Sequence, residues 1–237
     1  APCLTAKVKS CAISMNTPQF DCGSPNARTL SANPMTGKKT HIAENLTQIR
    51  ARIEHASAAA GRAPGTVRLL AMSKTFDVEA IRDAVRNGQR AFGENYLSEA
   101  VKKMDALADC GLEWHFTGPV QSNKTREIAS RFDWVHGVDR DRIARRLSEQ
   151  RPAALAPLNV CVQINIDGEA SKSGVRPEDA AALCEFAAAQ PGLRLRGLMT
   201  IPAPASPGSD PRRPYRRLRE LYESLLERGL RLDTLSA

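Results

Sequence analysis

The sequence predicts an α/β fold, a TIM-type (β/α)8 barrel that stops before its last βα unit. Three observations lead there. Short apolar runs, too short for helices, recur along the chain and read as strands buried on both faces. Helix-periodic segments with their own start and stop signals separate these runs, the alternation of a parallel sheet with crossover helices. From residue 67 onward the count is seven strands, one fewer than a closed barrel of this type.

In chain order, residues 1–38 show no periodicity and are rich in Ser, Asn, Thr, Pro and Gly. They read as a disordered, dispensable extension before a barrel domain over 39–237. Ile42, Leu46, Ile49 and Ile53 keep helical spacing within 40–60, a helix expected to cover the bottom of the barrel. The run 67–72, broken only by Arg68, is the first strand. Asp77 then caps a helix striped by Val78, Ile81, Ala84 and Val85, which Asn87-Gly88 ends. Strand two, 90–92, runs into Gly93-Glu94-Asn95-Tyr96, and a helix over 97–108 leads to strand three, 112–116. Ser122 or Asn123 caps the helix 124–131, and Asp139 caps a charged helix to Gln150 after strand four, 134–136. Strand five, 159–166, alternates Val160, Val162, Ile164 and Ile166 with Cys161, Gln163 and Asn165. Pro177 opens a helix to 189, strand six is 193–199, and a Pro-rich loop precedes a helix at 215–228 and a short strand at 232–235.

Composition narrows the function classes. The 237 residues suffice for one domain with a substantial core. The net charge of +8 is split between 1–39 and 194–237, each contributing +4, so the stretch between them is neutral. An excess divided between two ends, with only 5% aromatic residues, argues against a nucleic-acid groove. No apolar run reaches membrane-spanning length, and none near the N-terminus suits a secretory signal. Six cysteines with no CxxC pair and no metal spacing fit free thiols in a reducing cytoplasm.

Lys74 stands where the first strand meets its loop, the end at which parallel α/β sheets carry chemistry. A free lysine amine there can condense with an aldehyde. The bland alternative is a strand-end lysine whose stem packs while its head reaches water. His115 in strand three reads as a core histidine, and Ser171-Lys172-Ser173-Gly174 as either a small phosphate-type loop or an ordinary turn. Asn95 has a helix N-cap as its bland role.

The stretches LLAMSKT, AFGENY, WHFTGPVQSNK, QINIDGEASKSGV and LRGLMTIPAP follow one another from 69 to 204. In that order they resemble the pyridoxal phosphate homeostasis protein family, with the likeness running from about Thr40 to Ser236. Members are single-domain barrels that bind pyridoxal 5′-phosphate (PLP) and are similar to the N-terminal domain of bacterial alanine racemase. The resemblance implies PLP as cofactor, held as a Schiff base on Lys74, with Asn95 near its ring. It also implies Met199, with Thr200 and Ile201, in the pocket wall, and Ser236 in the cofactor site. Intracellular PLP homeostasis without catalytic turnover is the implied function, with PLP-dependent apoenzymes as recipients, in a monomeric cytoplasmic protein. Two alternatives stand beside it. A PLP-dependent amino-acid racemase would need a second domain and a partner-subunit tyrosine, and a basic nucleic-acid-associated module would leave Lys74 without a role. The family continues beyond Ser236 into a Ser-Met-Gly-Met-Ser stretch and a last strand, so this chain is expected to have open sheet edges and a weakened phosphate anchor. Adding a family-like segment after Ser236 is expected to raise PLP affinity at least about tenfold in a titration at one pH; equal affinities would place the phosphate anchor elsewhere.

Overall fold

Eight strands form one parallel sheet whose spatial order follows the chain, β1 to β8. The computed structural model describes residues 11–14, 41–169, 173–204 and 208–237. The strands are β1 Cys11–Ser14, β2 Leu69–Met72, β3 Ala91–Glu94, β4 Glu113–Phe116, β5 Trp134–Val138, β6 Leu158–Gln163, β7 Leu193–Met199 and β8 Thr234–Ser236. Between them run α1 His41–Ala59, α2 Val78–Arg86, α3 Leu97–Ala106, α4 Thr125–Arg131, α5 Asp141–Gln150, α6 Ala180–Ala188 and α7 Arg213–Glu227. The sheet curls until β1 lies within 8 Å of β8, Cα to Cα. The seven strands counted from residue 67 are all present, and β7 spans the residues read from the sequence.

Local chemistry explains both ends of α2. The Asp77 carboxylate accepts from Ala80 N–H at 2.8 Å and starts α2, and Asn87 ends it before Gly88 turns left-handed. Two expected caps are absent. Ser122 opens a 3-10 turn, Ser122–Lys124, ahead of α4, and its carbonyl takes the Thr125 hydroxyl at 2.9 Å. Asp139 is spent on Arg140, 2.7 Å away, so α5 begins at Asp141 without a side-chain cap. Pro177 likewise starts a 3-10 turn, and α6 follows from Ala180.

The core lies between sheet and helices, with Phe92, Ile128, Leu147, Val160 and Leu198 fully enclosed. At β7 the backbones pack so closely that a Cβ on Gly197 would sit 1.7 Å from Thr234 O; only glycine admits β8 there. Arg196 closes the same corner, with Asp233 gripped at 2.9 and 2.6 Å, Asn159 Oδ1 at 2.9 Å and the Trp134 ring 4.6 Å from its guanidinium carbon.

The N-terminal segment differs from expectation at four residues. Cys11–Ser14 pairs with β2 in parallel, Cys11 opposite Leu69 and Ser14 opposite Met72, and so covers an edge expected to be bare. The rest of 1–38 lies outside the described residues. Deleting 1–38 is therefore expected to lower Tm by at least about 3 °C, the shift of ~1 kcal/mol in a chain this long. An unchanged Tm would show that β2 needs no partner on that side.

Candidate functional site

β2 delivers its chain end to the C-terminal face of the sheet. Ser73, next in line, is buried, Lys74 is half-buried and Thr75 is exposed. Ser73 N–H donates to Gly93 O at 2.9 Å and Phe76 N–H to Ser73 O at 3.0 Å, which ties the turn to β3 and to itself. Thr75 has φ 68°, the sole non-glycine with positive φ among the described residues. That conformation costs a β-branched residue roughly 1–2 kcal/mol, so other contacts must hold it. One is plain: Thr75 N–H donates to Glu99 Oε1 at 2.7 Å. The Lys74 amine has no hydrogen bond or ion pair among the described residues.

Lys103, on α3, is the opposite case. Its ammonium is buried and donates to Ser73 O at 2.6 Å, Glu94 Oε1 at 2.7 Å and Glu99 Oε1 at 2.6 Å. Ser73 Oγ also donates to Glu94 Oε1, at 2.7 Å, while Glu94 Oε2 is buried without a partner. Burial pushes the Glu94 carboxyl above the usual range, against the pull of Lys103 and Ser73. Burial works the same way on Glu99, but there the hydrogen bonds from Lys103 and Thr75 prevail and hold it low.

The other expected site residues come from separate elements at the same ends of the strands. Asn95 is not a helix cap, since Tyr96 precedes α3 and makes no side-chain cap bond. Instead Asn95 Oδ1 accepts from the Thr117 hydroxyl at 2.6 Å, which orients its amide. A Cβ on Gly118 would lie 2.3 Å from Asn95 O, so glycine is required for that loop to pack. Met199 is buried against Trp134 and Cys161. Ser236 is 1% exposed, its hydroxyl turned to His136. Tyr96 and Ile201, which follow β3 and β7, leave large apolar side chains exposed at the C-terminal face. Ser171 and Lys172 lie outside the described residues; Ser173 O accepts from Gln163 Nε2 at 3.2 Å. Near the loops after β6 and β7 is a cavity of about 500 Å³, lined by Asp167, Pro202, Asp210, Arg213 and Tyr215 among others.

A polar chain crosses the barrel interior. His115 Nε2 lies 2.6 Å from Glu113 Oε1, His115 Nδ1 2.9 Å from His136 Nε2, and His136 Nδ1 2.7 Å from Ser236 Oγ. Burial opposes ionisation of Glu113, yet hydrogen bonds from His115 and Arg68 bring its carboxyl down to about 2. Burial holds both imidazoles neutral, His136 most strongly. An ionised Glu113 can only accept, so His115 carries its proton on Nε2. His115 Nδ1 then accepts from His136 Nε2–H, and His136 Nδ1 accepts from the Ser236 hydroxyl. The Trp134 indole stacks on His115 at 5.4 Å. At its far end the chain meets Arg68, beside a cavity of about 660 Å³ under α1 that Arg50, Arg62 and Glu113 help to line. That cavity belongs to the N-terminal ends of the strands, away from Lys74.

The profile described as the alanine racemase N-terminal domain matches residues 44–237. A pyridoxal phosphate homeostasis protein of Pseudomonas aeruginosa is 58% identical over 195 residues, covering 82% of this chain and 84% of that one. The chain belongs to the pyridoxal phosphate homeostasis protein family. Its Escherichia coli member is 49% identical over 198 residues, covering 82% of this chain and 85% of the other. Among solved structures, PipY of Synechococcus elongatus with PLP bound is 32% identical at a TM-score of 0.71, covering 83% of this chain and 88% of that one. The alanine racemase of E. faecalis, at 15% identity and a TM-score of 0.60, over 84% of this chain and 52% of that one, shares the fold.

Lys103, Glu99 and His136 were missed from the sequence. The Glu99–Lys103 spacing of one helical turn was visible, but it reads as a surface pair. His136 sits among β-forming residues, and nothing local says that it faces His115 across the sheet.

His136 also sets an acid limit on stability. Its native pKa lies below that of an unfolded histidine, so the unfolded state binds the extra proton and stability falls as pH drops below about 6.5. The slope is about 1.4 kcal/mol per pH unit for that one proton. Urea unfolding of wild type and of His136→Asn between pH 7 and 5 should show the slope reduced in the variant; parallel curves would mean that His136 is charged in the fold.

Proposed function

We propose that this protein binds PLP as a Schiff base on Lys74 and serves intracellular PLP homeostasis, holding the cofactor without catalytic turnover. The observation that carries this is the half-buried Lys74 amine, which has no partner among the described residues, on a turn at the C-terminal end of β2 whose backbone is held on both sides. The names of the relatives, and PLP bound in PipY, support the choice of cofactor.

The residues fit the group in two respects. An amine with no partner among the described residues suits an aldehyde, and the exposed faces of Tyr96 and Ile201 suit a planar ring. PLP brings an aldehyde that joins the lysine nitrogen reversibly, its oxygen leaving as water with the two amine hydrogens. In the same reading Asn95 lies beside the ring, Met199 closes the pocket wall from the barrel interior, and Ser236 belongs to the phosphate end. A carrier needs no acid or base beside the lysine. His115 and His136 suit that, being engaged with each other, Glu113 and Ser236. Release to PLP-dependent apoenzymes from a cytoplasmic monomer completes the proposal; among the described residues no helix is long and apolar enough to cross a membrane.

Borohydride reduction of the protein with PLP, followed by peptide mapping, should place the label on Lys74, and Lys74→Ala should lose it. Label chiefly on Lys124 or Lys172 would overturn the assignment.

A further inference from the structure

Two bonds bracket Lys74. Lys103 Nζ holds the carbonyl of Ser73, the residue before it, and Glu99 Oε1 holds the N–H of Thr75, the residue after it. Glu99 and Lys103 sit on α3, and Glu94, which anchors Lys103 from the other side, ends β3. The backbone from which Lys74 projects is therefore set by charged side chains of other elements.

As a means of stability alone this cluster is a poor one. A buried ammonium between carboxylates often gives no more than a well-packed apolar group of the same volume. Here it also leaves Glu94 Oε2 buried and unbonded, and it holds Thr75 at φ 68°, a conformation the residue would leave if released. Costs of this kind collect where geometry matters to a ligand. The two lysines are sorted as well. All three ammonium hydrogens of Lys103 have acceptors, so that amine is occupied, while the Lys74 amine has none among the described residues.

We propose that Glu99 and Lys103 are positioning residues that, anchored on Glu94, aim the Lys74 amine at the aldehyde of its ligand. The inference rests on Lys74 being the Schiff-base lysine. It separates two parts of affinity: the bond to the aldehyde, which depends on aim, and the contacts to ring and phosphate, which do not.

The test compares PLP with pyridoxine 5′-phosphate, which has the same ring and phosphate but an alcohol in place of the aldehyde. Both affinities are measured for wild type, Glu99→Ala, Lys74→Ala and the double variant Lys103→Met with Glu94→Gln, which removes both buried charges together. Glu99→Ala and the double variant should each bind PLP at least about tenfold more weakly, ~1.4 kcal/mol, with the alcohol's affinity unchanged within about twofold. An equal fall for both ligands would reduce the cluster to a support of the fold, and unchanged PLP affinity would remove it from the site. Lys74→Ala should bring PLP down to the affinity of the alcohol. If Lys74→Ala keeps full PLP affinity, the Lys74 assignment fails and this inference with it, a result distinct from failure of the Glu99 arm alone.

Discussion

Parallel pairing in chain order is the constraint on which everything else here depends. Each strand must return by a crossover, so all C-terminal strand ends open on one face and all N-terminal ends on the other. Lys74 after β2, Asn95 after β3, Ile201 after β7 and Ser236 in β8 are thereby gathered on one side although far apart in sequence. The helices pay for the crossovers by burying their apolar stripes on the sheet, which leaves the strand-end loops free to carry polar groups.

Two buried polar networks use that arrangement differently. The Glu94–Lys103–Glu99 cluster is ionic and local to the C-terminal ends of β2 and β3, where it clamps a turn. The Glu113–His115–His136–Ser236 chain is neutral through its middle and runs along the interior, each donor matched to one acceptor. With Glu113 ionised and both imidazoles neutral, one arrangement of protons runs donor to acceptor from Ser236 to Glu113. Its effect is to commit the Ser236 hydroxyl hydrogen inward. Fully satisfied chains of this kind fix side chains in a core, whereas losing one member leaves its neighbours unpaired.

The parts of the fold that were legible are those determined within about ten residues. Strand β7 and the Asp77 cap of α2 follow from alternation, apolar runs and one short carboxylate. The unread parts depend on distant partners. β1 is four residues with no pattern of its own, and only the open edge of β2 gives it a place. Asp139 has the chemistry of a cap, but the neighbouring Arg140 takes its carboxylate. His115 was correctly read as buried, yet its partner His136 comes from the next strand. Lys74 stands out in the sequence by its position at a strand end and its surrounding motif. Lys103 was passed over, because a lysine one helical turn from a glutamate is ordinarily a solvated pair.

The central claim is that the half-buried lysine on a clamped turn, Lys74, is the point of cofactor attachment. A crystal structure of the protein grown with PLP tests it most directly. Continuous density from Lys74 Nζ to the aldehyde carbon is predicted, with Lys103 still bonded to Ser73 O, Glu94 and Glu99. PLP joined to another lysine, or seated away from the C-terminal end of β2, would contradict it.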